Sequence, residues 1–259
     1  MTVEIRSAIA SATTVLTGGV SGAPSVSHIP AEIAYDQRIG QTVEMVRRKR
    51  HGATVGVNQR TGVRALVEAA LTDDVVIREY LAGVIAAATD ECDNAHLLSL
   101  VSRLSPDQLK WHYLIYLATV SFVRDEPDPP GDWRGVGTRA HIAFKSDFIF
   151  EIPGATVETD DVEDEWLKCH RALKQLERED LIRIDEERQY FEETIAFRIT
   201  PLGVELLAAS AGLSETDLEN LCLVHPKSLL FSPPLQALSV DRWTNYVDQL
   251  LTNYPEYLL

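Results

Sequence analysis

The stretch EDEWLKCHRALKQLEREDLIRIDEERQYFEETIAFRITPLGVELL, Glu163 to Leu207, contains two periodicities, one after the other. Trp166, Cys169, Leu173 and Leu176 recur at three- and four-residue steps, which places them on one stripe of a helix beginning in the acidic run Asp160, Asp161, Glu163, Asp164 and Glu165. Carboxylates suit a helix start, where unpaired N–H groups and the dipole favour negative charge. After Asp180 the residues Leu181, Ile182 and Ile184 are short and β-rich, Asp185 to Gln189 is polar, and Ile195, Phe197 and Ile199 alternate with other residues. That pattern predicts two strands and a turn. Thr200 then offers an N-cap with Pro201 at the first helical position, and Leu202, Leu206 and Leu207 supply the buried side of a closing helix.

Helix, strand, strand and helix in this order describe a winged-helix-like domain. The strings RALKQLEREDLIRI and AFRITPLGVELL resemble the final helix, wing and closing helix of many bacterial winged-helix regulators. The resemblance implies that Leu173, Leu176, Leu181 and Ile182 are core. It also implies that Arg171, Lys174 and Arg178 lie outward on the recognition-like helix, as candidates for nucleic-acid or partner contact. Asp180 stands where such proteins usually carry glycine; aspartate tolerates the left-handed region better than most residues. Upstream, PGATVETDDVED does not read as the second helix of a tri-helical unit.

Working outward, the chain reads as strongly helical. Thr72 or Asp73 caps a helix whose buried stripe is Val76, Ile77, Tyr80, Leu81, Val84 and Ile85, ending near Asp90, Glu91 and Asp93. A short helix from about Ala95 to Leu104 follows. Ser105, Pro106 and Gln108 then combine an N-cap, a first-position proline and a capping-box glutamine for the helix of Leu109, Leu114 and Leu117. Asp125 to Gly137 is a Pro- and Gly-rich break, and Ala140 to Ile152 predicts one or two strands. The tail offers a capping pair at Ser214 and Asp217 and a stripe of Val240, Trp243, Val247, Leu250 and Leu251. The expected fold is mainly α of the α+β kind, with a helical N-terminal part, then a winged-helix-like domain, then C-terminal helices. Its segments are 1–30, a helical domain 31–122, a loop and strand insert 123–160, the winged-helix-like domain 161–210 and a helical extension 211–259.

A chain of 259 residues with 45% hydrophobic content can bury one large or two modest cores. Cys92, Cys169 and Cys222 lack metal-type spacing and cannot all pair, as expected of reduced thiols in a cytoplasmic protein. No apolar run reaches membrane-spanning length, and the first residues lack a signal-peptide pattern. The net charge of −15 hides an asymmetry. Residues 1–71 hold eight Lys or Arg against five Asp or Glu (+3), leaving 16 against 34 (−18) for the rest. Most of the positive charge lies between Arg38 and Arg64, with Arg47, Arg48, Lys49 and Arg50 as its centre. The plain reading of that run is the basic last turn of a helix closed by Gly52. The functional readings are a nucleic-acid or anionic-partner site and contact with the acidic half of a neighbouring subunit.

REYLAGVIAAATDECDNAHLLSLVSRLSPDQL, followed by the winged segment, is similar to the bacterial Abi-alpha family, associated with abortive infection. The resemblance runs over roughly residues 33–209 and implies a place in phage defence. Catalytic motifs fare poorly. Gly135, Gly137 and Ala140 match a dinucleotide fingerprint with no strand before it. Arg134 and His141 have the R-x6-H spacing of HEPN ribonucleases, in a region expected to be strand. Cys92 and His96 form one helical pair, too few for a zinc site. The expectation is therefore a cytoplasmic binding or regulatory protein with no catalytic residues, metal or cofactor, working through a protein partner or its own oligomer. The alternatives are a winged-helix DNA-binding regulator and, behind it, a toxin-like ribonuclease. The carboxylates around the recognition-like helix and wing weigh against duplex binding, because a phosphate backbone would meet repulsion.

Overall fold

A computed structural model describes residues 30–50, 58–89, 94–124, 141–145, 162–184 and 194–213. Seven helices are described: α1 (Pro30–Lys49), α2 (Gln59–Leu71), α3 (Val75–Ala87), α4 (Ala95–Val101), α5 (Pro106–Arg124), α6 (Val162–Arg178) and α7 (Pro201–Ser210). Strands β1 (His141–Lys145), β2 (Ile182–Ile184) and β3 (Thr194–Ile199) form one antiparallel sheet in the order β1-β3-β2. The described chain is thus mainly helical. It divides into two compact units: residues up to Pro106 with 208–213 form the first, and Asp107–Leu207 the second.

In the first unit α1, α2 and α4 pack around α3. Helix α3 is apolar nearly all round, VVIREYLAGVIAA, and 11 of its 13 residues are buried, so it is the core element. Its N-cap is Asp74, whose carboxylate accepts the Val76 and Ile77 N–H groups, one residue beyond the expected Thr72 or Asp73. At its other end Arg50 Nε donates to Ala86 O at 3.0 Å, putting a cation on carbonyls the helix leaves unpaired. Arg38 serves α2 in the same way, donating to Ala70 O at 3.0 Å while pairing with Asp73. Gly83 lets the end of α7 approach to backbone contact, since a Cβ there would lie 2.1 Å from Ser210 O. Inside this packing Lys49 Nζ meets Glu79 Oε1 at 2.7 Å, with side chains only 1% and 0% exposed. Burial pushes the Lys49 ammonium below its ordinary pKa, and the Glu79 charge opposes that shift.

The second unit is α5, α6, the sheet and the first residues of α7. Helix α5 starts at Pro106 as its sequence predicts and buries Leu109, Leu114 and Leu117. Helix α6 buries Cys169, Ala172, Leu173 and Leu176, the spacing read from the sequence, with Leu173 fully enclosed. It ends in a Schellman turn. Leu181 N–H returns to Leu176 O at 2.9 Å and Asp180 N–H to Glu177 O at 3.0 Å, with Asp180 in the left-handed region at φ 55°. Strands β2 and β3 then pair Ile182 with Ile199, Arg183 with Arg198 and Ile184 with Phe197. Thr200 caps α7, accepting Gly203 N–H on its hydroxyl at 3.1 Å. The expected short strand after Ala140 is β1, which pairs with β3 from His141↔Arg198 to Lys145↔Thr194. The Pro-rich loop, Gly52 and the C-terminal helices expected from the sequence lie outside the described residues.

Two measurements check this account. Lys49→Met alone strands a buried carboxylate and is expected to cost about 3 to 5 kcal/mol in urea denaturation, whereas Lys49→Met with Glu79→Leu should recover most of it. Asp180→Gly relieves the left-handed strain and should raise stability by about 0.5 kcal/mol, and Asp180→Val should lower it by about 1 to 2 kcal/mol.

Candidate functional site

The helical period that buries Cys169, Leu173 and Leu176 turns Leu167, Lys168, Arg171 and Arg178 to solvent on the opposite side of α6. Leu167 is 42% exposed, unusual for a large apolar side chain among the described residues. Two of the three sequence-predicted cations on this helix, Arg171 and Arg178, are exposed. The third, Lys174, is half-buried and pairs with Glu177 Oε2 at 3.0 Å. Glu177 is itself anchored, because its other oxygen accepts the Ile184 N–H at 3.0 Å. Lys174 is therefore held at the α6–β2 corner, and the outward stripe is led by Arg171 and Arg178.

The run Arg47 to Arg50 does not stay together as one basic surface. Consecutive helical residues are rotated about 100° from each other, so Arg47 and Arg48 point to solvent while Lys49 turns inward to Glu79. Arg50, half-buried, is committed to the α3 C-terminus through Ala86 O and Ala88 O. The sequence reading of Lys49 and Arg50 as binding residues is corrected on this point: their charges are used inside the fold.

A polar cluster in the second unit went unnoticed in the sequence. The Tyr116 hydroxyl on α5 donates to Leu181 O and accepts the Thr200 N–H at 3.0 Å. Thr200 Oγ1 donates to Asp180 O at 2.5 Å. One turn earlier on α5, His112 Nε2 donates to Gly203 O at 3.0 Å, its ring centroid 4.5 Å from that of Tyr116. A carbonyl can only accept, so Nε2 carries the proton. Burial holds His112 neutral with a pKa of about 3, opposed by the Gly203 contact, and pushes the Tyr116 hydroxyl well above the ordinary tyrosine value. Both side chains are enclosed, and a Cβ at Gly203 would fall 1.8 Å from the Tyr116 oxygen. No substrate reaches such a pair, so its chemistry is structural. Cys169 is likewise a buried free thiol, raised to about 12 by desolvation and therefore a poor nucleophile.

Of the remaining sequence candidates, His141 lies in β1 and His96 is exposed on α4, while Arg134, Cys92, Gly135 and Gly137 lie outside the described residues. Among the described residues no three His, Cys, Asp or Glu gather to hold a metal, and no helix is long and apolar enough to cross a membrane. Among the exposed arginines that sequence reading missed are Arg183 and Arg198. Each sits at the centre of an apolar-Arg-apolar triplet, Ile-Arg-Ile in β2 and Phe-Arg-Ile in β3, and that shared pattern was the available signal. No protein-family description, curated protein or solved structure matches this chain.

The depressed His112 pKa has a testable sign. Between pH 6.5 and about 3 the unfolded chain binds a proton at this position that the folded chain refuses, so His112 makes stability fall as pH drops through that window. Above it, the histidine contributes no pH dependence. His112→Gln keeps a donor for Gly203 O and cannot titrate. Its unfolding free energy should therefore fall less steeply between pH 6 and 4 than that of wild type, by roughly 1 kcal/mol per pH unit.

Proposed function

We propose that this chain is a non-enzymatic binding protein whose second unit is a winged-helix-like module, acting through protein contacts in bacterial phage defence. The observation that carries the binding reading is the outward stripe of α6, where the exposed Leu167 lies one turn from Arg171 and in line with Arg178. Arginine with apolar surface is the pairing enriched in protein interfaces. The groups best suited to chemistry, His112, Tyr116, Cys169, Lys49 and Glu79, are buried in packing and hydrogen bonding. The winged-helix part of the reading draws on the order α6-β2-β3-α7, the left-handed Asp180 between helix and strand, and β1 as a third strand. The phage-defence setting draws on the similarity of REYLAGVIAAATDECDNAHLLSLVSRLSPDQL and the segment after it to the Abi-alpha family.

A DNA-binding regulator is the second reading, favoured by the line of Lys168, Arg171 and Arg178 along α6. Duplex affinity without sequence preference comes from phosphate neutralisation and falls steeply with salt. Against it stand the acidic residues Asp185, Glu186, Glu187, Glu192 and Glu193 in the chain between β2 and β3.

Affinity capture with the full-length chain from phage-infected and uninfected cells separates the two. A protein should be retained by wild type, with recovery falling about tenfold in a variant carrying Leu167→Asp, Arg171→Glu and Arg178→Glu. The same wild-type protein should bind random duplex DNA only weakly at physiological salt. A submicromolar, steeply salt-dependent duplex complex lost in the triple variant would transfer the reading to DNA binding.

A further inference from the structure

Helix α2, QRTGVRALVEAAL, carries more apolar surface than its place in the first unit uses. Thr61, Gly62, Ala65, Leu66, Ala69 and Ala70 are its buried side, and its neighbours are α1 and α3. At about 100° per residue the opposite side holds Arg60, Val63, Arg64, Val67, Glu68 and Leu71. Within it Val63, Val67 and Leu71 follow one another at four-residue steps. The two valines are half-buried and Leu71 is 63% exposed. Single apolar residues on a surface are ordinary. A helix docked on a core by one face, however, has no use for a second apolar ridge along the other.

The charges beside this ridge run against the helix's own dipole. Arg60 is in the first turn, at the positive end, and Glu68 is in the last, at the negative end; the first turn holds no carboxylate and the last no cation. Arg64 precedes Glu68 by four residues and meets it at 3.5 Å, the weaker of the two orders for such a pair within one helix. Cations towards the start and a carboxylate at the end suit an antiparallel neighbour of the same sequence, because each end then lies beside its opposite.

We infer that the outer face of α2 pairs with α2 of a second copy of this chain, antiparallel about a two-fold axis at Val67. In that register Val67 lies against Val67 of the second copy and Val63 against its Leu71, so the ridge covers itself, as a self-complementary interface requires. A two-fold axis across the helices sets each flank against the same flank of the copy, so Arg64 of each chain faces Glu68 of the other. Arg60 comes to the C-terminal end of the second copy's α2, beside Asp73, whose side chain is 86% exposed although it pairs with Arg38. Thirteen residues give a contact about 20 Å long, short for a permanent dimer, so the association is reversible and depends on concentration.

These residues share nothing with the α6 stripe, so this inference and the proposed function fail separately. The test is sedimentation equilibrium of the full-length chain from low to high micromolar concentration. Physiological ionic strength is used, because it screens the long-range repulsion between two chains of net charge −15. Wild type should pass from monomer to dimer. Leu71→Ser, at an exposed position, and Val67→Asp, which sets two carboxylates together at the axis, should each raise the dimer Kd at least about tenfold. The charge pair gives the sharper reading. Arg64→Glu and Glu68→Arg should each dimerise at least about tenfold more weakly alone, because like charges then meet across the axis. Their equimolar mixture should dimerise about as well as wild type, since each variant offers the charge the other lacks. A repair within one helix cannot produce that rescue. The variant with Leu167→Asp, Arg171→Glu and Arg178→Glu should dimerise as wild type does. The inference is overturned if wild type stays monomeric throughout, or if Leu71→Ser and Val67→Asp dimerise as wild type does. It is also overturned if the mixture is no better than its components, or if the α6 variant is the one that loses the dimer.

Discussion

The Tyr116 hydroxyl is the point on which the second unit depends. A buried oxygen with one proton and two lone pairs is costly to enclose unless it is satisfied. Here it gives its proton to Leu181 O and receives the Thr200 N–H. Those two partners sit just after α6 and just before α7, so one side chain from α5 ties together the start of β2 and the end of β3. Thr200 extends the connection, because its hydroxyl donates to Asp180 O and accepts from Gly203. The left-handed turn that ends α6 and the cap that begins α7 are thereby satisfied through shared groups. Glycine at 203 follows directly, since any side chain there would occupy the space of the Tyr116 ring and hydroxyl.

The first unit meets a different constraint. Helix α3 is apolar enough to be surrounded, yet it carries Arg78 and Glu79 in its interior face, and both are buried. A carboxylate enclosed there is costly without a counter-ion at hand, which Lys49 supplies from the last turn of α1. Such a pair adds little net stability compared with apolar residues of the same shape, because both ions give up their water. Its effect is to favour one placement of α1 on α3, as any slip would separate the charges. The following residue, Arg50, reinforces that placement through the carbonyls at the end of α3.

What could be read from the sequence was what has a local cause. The α6 stripe, the Asp180 turn, the Thr200-Pro201 start and the Ser105-Pro106 start each depend on residues within a turn or two of one another, and each is found where the spacing puts it. The non-local partners were hidden. Nothing near Lys49 in sequence points to Glu79, and a lysine in a basic run reads as surface because most are. His112 and Tyr116 looked like ordinary helix residues, since their partners Gly203 and Thr200 lie more than 80 residues away. Helix α2 was missed for a milder reason: QRTGVRALVEAAL opens with Arg60 and Arg64, which drew attention as charge before the small-residue stripe Ala65, Leu66, Ala69 and Ala70 was read as a buried side.

The same division between local and non-local explains where the charged residues ended up. Charge in this chain is sorted by geometry rather than by segment. The helical period splits Arg47 and Arg48 from Lys49 and Arg50 within four residues, and the strand period of two brings Arg183 and Arg198, fifteen positions apart, into one row. A count of charges along the chain therefore does not show which of them reach solvent. It weights the 47–50 run, half of which is consumed in packing, and passes over two isolated arginines flanked by apolar residues. Those flanks are the informative part, because a strand that buries every second residue must present the residues between them to water. On β2 and β3 that rule turns Arg183 and Arg198 outward, and both are exposed.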